Sequence, residues 1–105
     1  MVNEYVPHNW VVLRYGNVYK VLAAWSGGYL DDDTWRMNSG ITSVKQDGNF
    51  FLFYGASGSC YRCHRDRYRL IAASAPIYNA IKYELKEEVE LMPENTNWME
   101  IEYVR

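Results

Sequence analysis

The chain has few of the features that would place it in a class outright. Its 105 residues include only two cysteines and three prolines. Two thiols are too few for a disulfide framework, so a reduced, intracellular setting is expected. No apolar run approaches the roughly 18 residues that a membrane-spanning helix needs, and no basic leader precedes an apolar stretch. Neither a membrane partner nor secretion is therefore expected, and the cytoplasm is the expected location. Charge of one sign is also missing. Eleven Lys and Arg residues face 13 Asp and Glu, for a net charge of -2 and an isoelectric point near 5.6. That balance argues against a duplex-DNA coat or a polybasic membrane binder. No acid/base pair, nucleophile–histidine pair or complete metal set is visible, so no enzyme and no cofactor are expected.

What is abundant is aromatic side chains, 16% of the residues, with ten tyrosines. At this length the chain forms one domain, residues 1–105. Residues 10–15 and 18–25 are β-branched and aromatic, and the glycine-first pair Gly16-Asn17 between them suits a type II′ hairpin. Asp47-Gly48, between 41–46 and 49–54, predicts a second hairpin with a type I′ turn. Residues 60–70 read as a further strand and 98–104 as a closing one. Ile77, Ile81, Leu85 and Val89 recur every four positions, which predicts a helix over about 76–91, opened near Ser74 and Pro76 and ended by Pro93. The expected fold is α+β: a small twisted antiparallel sheet or open barrel with one packed helix. Most tyrosines should be half-buried, ring inward and hydroxyl outward.

Several motifs bear on chemistry. Cys60, Cys63 and His64 match the C-x-x-C-H pattern of haem attachment, but in a strand residues three apart lie on opposite faces, where haem needs them together. The same three residues with His8 would make four zinc ligands, although a single C-x-x-C is a weak signature and metal is not expected. Residues 55–59 (GASGS) lack the final glycine of a nucleophile elbow. They could still hold an anion on backbone N–H groups, or simply turn the chain. Four arginines stand between Tyr61 and Arg69 against Asp66 alone. In an extended strand Arg65, Arg67 and Arg69 would share a face with Tyr61 and Cys63, and an arginine and tyrosine surface suits phosphates and bases. Residues 26–40 (SGGYLDDDTWRMNSG) have neither period and read as a long loop, with Tyr29, Trp35, Arg36 and Asn38 as its ligand-facing residues. Asp31, Asp32 and Asp33 read as a solvated loop rather than a cation site. Trp25 ends a strand and reads as core.

Residues 25–30 (WSGGYL), 33–41 (DTWRMNSGI) and 53–61 (FYGASGSCY) together resemble a type of small uncharacterised protein encoded by tailed bacteriophages, over roughly residues 9–80. The resemblance carries no catalytic residue. It implies a host-cell cytoplasmic setting and a protein that works by binding, inhibitors of host defence included. The reading is thus a non-enzymatic binding protein, a phage-type accessory factor that sequesters or blocks a host component. Its partner is a host protein or a nucleotide-type small molecule. The candidate site joins Tyr29, Trp35, Arg36, Asn38, Ser57, Ser59, Tyr61, Arg65 and Arg67 in one pocket. The alternatives are a protein-interaction module, with Trp35 and Tyr29 as anchors and the acidic 84–105 region drawing a basic partner, or a zinc protein using Cys60, Cys63 and His64.

Overall fold

A computed structural model describes residues 3–26 and 34–103. Among the described residues, eight strands form two four-stranded sheets that do not close into a barrel, with one helix. The first sheet contains β1 (Glu4–Tyr5), β5 (Ile41–Asp47), β6 (Phe50–Gly55) and β7 (Cys60–His64), in the order β1-β7-β6-β5. The second contains β2 (Asn9–Tyr15), β3 (Val18–Trp25), β4 (Thr34–Met37) and β8 (Val89–Leu91), in the order β4-β3-β2-β8. The pairings between these strands are antiparallel except β1 beside β7.

The second sheet is covered on both faces, which explains why its central strands read as nearly unbroken apolar runs. Strand alternation sends Trp10, Val12, Val21 and Ala23 toward the first sheet, where they meet Ile41, Phe53, Tyr61 and Cys63. It sends Val11, Leu13 and Leu22 the other way, against Ile77, Ile81 and Leu85 of the helix α1 (Ala75–Leu85). The helix therefore covers a sheet, as its four-residue stripe predicts. No helical residue is fully buried, however, so it lies on the sheet rather than in it. Seven of the nine described tyrosines are half-buried, with Tyr61 enclosed and Tyr83 82% exposed as the exceptions.

Several boundaries differ from expectation. The helix stops at Leu85 and a 3-10 turn, Lys86–Glu88, follows. Lys86 takes a φ of 52°, and Lys82 Nζ donates to the carbonyls of Lys86 and Val89, at 2.8 and 2.9 Å. Val89 then pairs with Tyr15 as a strand residue and reaches the same apolar layer by another route. The second hairpin turns at Gly48-Asn49, because Asp47 pairs with Phe50. Gly16 and Gly48, at φ 60° and 59°, hold equivalent first positions of two glycine-first loops, and the asparagine after each keeps a negative φ. That geometry is type II′, so the first turn is as expected and the second is displaced by one residue. Residues 34–37 are an edge strand rather than loop. Residues 98–103 form no strand: Trp98 is buried in the core between the sheets, and Tyr103 donates to its carbonyl at 2.6 Å.

Candidate functional site

The strand β7 ends at His64, and a 3-10 turn over Arg65–Arg67 replaces the rest of the expected strand. The alternation that would have aligned Arg65 and Arg67 with Tyr61 and Cys63 is therefore broken. The turn is held from both faces of β2. On one face Trp10 Nε1 donates to the His64 carbonyl at 2.7 Å; on the other Asn9 Nδ2 donates to the Arg67 carbonyl at 3.2 Å. Arg69 N–H then donates to the Trp10 carbonyl at 3.1 Å. The basic segment thus wraps the start of β2 and sends its side chains into two clefts.

The first cleft, about 520 Å³, is lined by Pro7, His8, Asn9, Ser26, His64, Arg67 and Arg69. His8 Nδ1 accepts from the Ser26 amide at 3.0 Å, and His64 Nδ1 accepts from the Asp66 amide at 3.1 Å. With Nδ1 used as an acceptor, the proton of each neutral imidazole is on Nε2 and remains a donor. Among the described residues Arg67 and Arg69 pair with no carboxylate, and none lining the cleft is acidic. The Asp66 carboxylate stands 4.0 Å from His64 Nδ1. Two guanidiniums and two imidazoles so placed can receive an anion through charge-assisted hydrogen bonds.

The second cleft, about 490 Å³, lies across the turn. Trp10, Phe51, Tyr68 and Trp98 form its aromatic wall, and Arg65, Asp66 and Glu94 are among its polar lining. The rings pack on one another: Trp10 lies 4.7 Å from Tyr68, edge to face, and 5.8 Å from Trp98. Tyr68 also closes a gap in the sheet, since its hydroxyl accepts from Val12 N–H at 3.1 Å and donates to the Met92 carbonyl. Burial pushes the Tyr68 hydroxyl pKa up to about 12.

The other expected site residues do not join this place. Ser57 and Ser59 precede β7 whereas Arg65 and Arg67 follow it, so the strand's own length of roughly 13 Å lies between them. The amides of Gly55, Ala56, Ser57 and Gly58 donate to Ser59 and Gly40 carbonyls, Ser39 Oγ and the Gly55 carbonyl, so those four are spent internally. The loop lacks the free amides of an anion nest. Trp35 and Arg36 pair with Ala24 and Ala23, hence they project to opposite faces of β4 and share no pocket. Arg36 stacks over the Tyr5 ring at 4.5 Å, and Tyr5 packs on Tyr61. Tyr61 is a core residue, its hydroxyl pKa raised to about 12 by burial against the opposing charge of Arg36. Asn38 is buried too: its Oδ1 accepts from Val21 N–H at 2.9 Å, a fold-holding role. Tyr29 and Asp31–Asp33 lie outside the described residues.

The cysteines do not converge. Cys63 is in the core, Cys60 is buried on the other face of β7, and burial raises both thiol pKa values. Among the described residues no three His, Cys, Asp or Glu side chains are grouped to hold a metal. Nor is any helix there long and apolar enough to cross a membrane. Of the cleft residues, the sequence points to His8 and His64 only as metal ligands, and to Arg69 only as part of the arginine face and not of the pocket. Comparison with protein-family models, curated proteins and solved structures finds no match for this chain.

Proposed function

We propose that this chain is a non-enzymatic binding protein of the phage-accessory type that sequesters or blocks a host component, engaging the anionic group of its ligand in the His8/His64/Arg67/Arg69 cleft. The observation that carries the reading is the concentration of four cationic or donor side chains on a cleft with no acidic side chain among its described lining. The resemblance to small tailed-phage proteins supports the host-cell setting. A cytoplasmic setting fits a chain with two unpaired cysteines.

Thermal shift with inorganic pyrophosphate and a nucleotide panel tests the cleft. Ligand at about 100 times its Kd contributes near 2.7 kcal/mol, enough to raise the melting temperature by several degrees. The double variant Arg67→Ala/Arg69→Ala should melt like the parent without ligand and show no shift with it. A parent that no phosphate compound stabilises would remove the anion-binding reading. A second reading, a protein-interaction module, is favoured by Trp35, 47% exposed on an edge strand. A host-lysate pull-down lost with Trp35→Ala but kept by the double arginine variant would move the site there.

A further inference from the structure

We propose that the two clefts form one site, and that its ligand is a single-stranded nucleic-acid segment with a base in the aromatic cleft and an adjoining phosphate in the Arg/His cleft. The inference rests on the anion-binding reading above and goes beyond it by naming the ligand.

Lining is the first argument. Every nucleobase has a flat π face, and stacking on aromatic side chains is the usual means of holding an unpaired base. Phe51 and Tyr68 are half-buried rings at the cleft, with the enclosed indoles of Trp10 and Trp98 beneath them. Charge is the second. Asp66 and Glu94 line the aromatic cleft against one cation, Arg65, which stands 3.7 Å from Asp66; the net negative charge disfavours phosphate, and the carboxylates can accept from base amino groups. Phosphate is attracted across the turn instead, to Arg67 and Arg69. The two clefts are sorted by charge, as the two ends of a nucleotide are.

Adjacency is the third. Trp10 lines one cleft and Asn9 the other, and these are consecutive residues facing opposite sides of β2. A ligand filling both clefts has to cross the Arg65–Arg67 turn, which suits a chain of several units better than a compact mononucleotide. A duplex keeps its bases stacked and paired, and so offers none to the aromatic cleft.

Fluorescence anisotropy would compare a short oligothymidylate, an abasic strand of equal length and thymidine monophosphate. The oligothymidylate should bind about tenfold tighter than the abasic strand, the scale of one stacked base. Phe51→Ala should bring its affinity down to the abasic level without changing abasic binding. Phe51→Leu, which keeps the apolar bulk packed against the core but removes the stacking face, should do the same. Equal binding of the two strands by the parent would overturn the base-binding cleft and leave the anion reading intact. Monophosphate bound as tightly as the oligonucleotide would overturn the single-strand assignment. Failure of pyrophosphate and both strands alike would remove the Arg/His cleft itself, and the inference with it.

Discussion

The Trp10 indole donates to the His64 carbonyl at 2.7 Å, joining the centre of the core to the start of the arginine turn. Trp10 is 1% exposed and packs edge-on against Tyr68, so the donor is held in place by its surroundings. Binding geometry and stability are therefore coupled through one residue. Trp10→Phe keeps an aromatic ring but leaves the His64 carbonyl without this donor. A loss of about 1–3 kcal/mol is expected for the orphaned acceptor, together with weaker pyrophosphate binding. Urea melts and thermal shift read the two effects, and unchanged stability would mean that the turn is held elsewhere.

Ile81 tests the helix layer. It packs on the second sheet but is only half-buried. Ile81→Ala should cost about 1–2 kcal/mol, below the range for emptying an enclosed aliphatic site. A urea-melt loss under about half a kcal/mol would mean that the sheet does not depend on this cover.

What could be read from the sequence was local. Val11-Val12 and Leu22-Ala23 are apolar at consecutive positions, and a sheet covered on both faces is the reason. Gly16 and Gly48 mark turns because a positive φ is cheap only for glycine. Ile77 and Ile81 show which way the helix faces. The errors came where long-range pairing overrides local pattern. Val89 continues the helical stripe, yet Tyr15 recruits it as a strand. The run Arg65–Arg69 alternates well enough for a strand, but Trp10 and Asn9, more than 50 residues earlier, capture the carbonyls of His64 and Arg67 and bend it. The site inherited that error. His8 meets the arginines only through this bend, and nothing near His8 in the chain announces it. Trp35 and Arg36 are adjacent in sequence, and that same adjacency separates them once β4 forms.

Trp25 and Trp35 should separate in a stability measurement. Trp25 is partly buried against the core, and its Nε1 donates to the Val6 carbonyl at 2.9 Å. Trp25→Ala is expected to cost about 2–3 kcal/mol, below the full-burial range for an aromatic truncation. Trp35→Ala, on an exposed edge, should stay within about half a kcal/mol of the parent. Denaturant melts of the pair check the order, and a collapse of Trp35→Ala would make β4 a structural cover.

Asn38 gives a polar counterpart in the core. Its side-chain Oδ1 accepts from Val21 N–H, and its backbone N–H donates to the Val21 carbonyl at 3.1 Å. Asn38→Ala leaves the Val21 N–H buried without this acceptor, a cost of about 1–3 kcal/mol. Pyrophosphate binding should be unchanged in the folded variant, because Asn38 does not line the Arg/His cleft. Calorimetric titration checks that, and lost binding at intact stability would return Asn38 to the site.

Alkaline pH probes the buried phenols. Tyr61 and Tyr68 ionise near 10 when exposed and near 12 in the fold, with burial the main cause in both. Above pH 10 the unfolded chain releases protons that the folded chain still holds, which favours unfolding. The contribution is fully present below about pH 10 and lost as pH rises toward 12. The buried thiol of Cys63 acts in the same direction from a lower starting point, since an exposed thiol ionises earlier. Urea midpoints should therefore be flat around neutral pH and fall steeply above about pH 10, with tyrosinate absorbance appearing as the protein unfolds. Tyr68→Phe separates titration from packing. It leaves Val12 N–H and the Met92 carbonyl without the bridging hydroxyl, so stability at neutral pH should fall by about 1–3 kcal/mol. It also removes one titrating phenol, so the further drop above pH 10 should be shallower than in the parent. Parallel alkaline limbs for the two proteins would mean that the Tyr68 hydroxyl is open to solvent, and the bridge between β2 and Met92 would have to be given up.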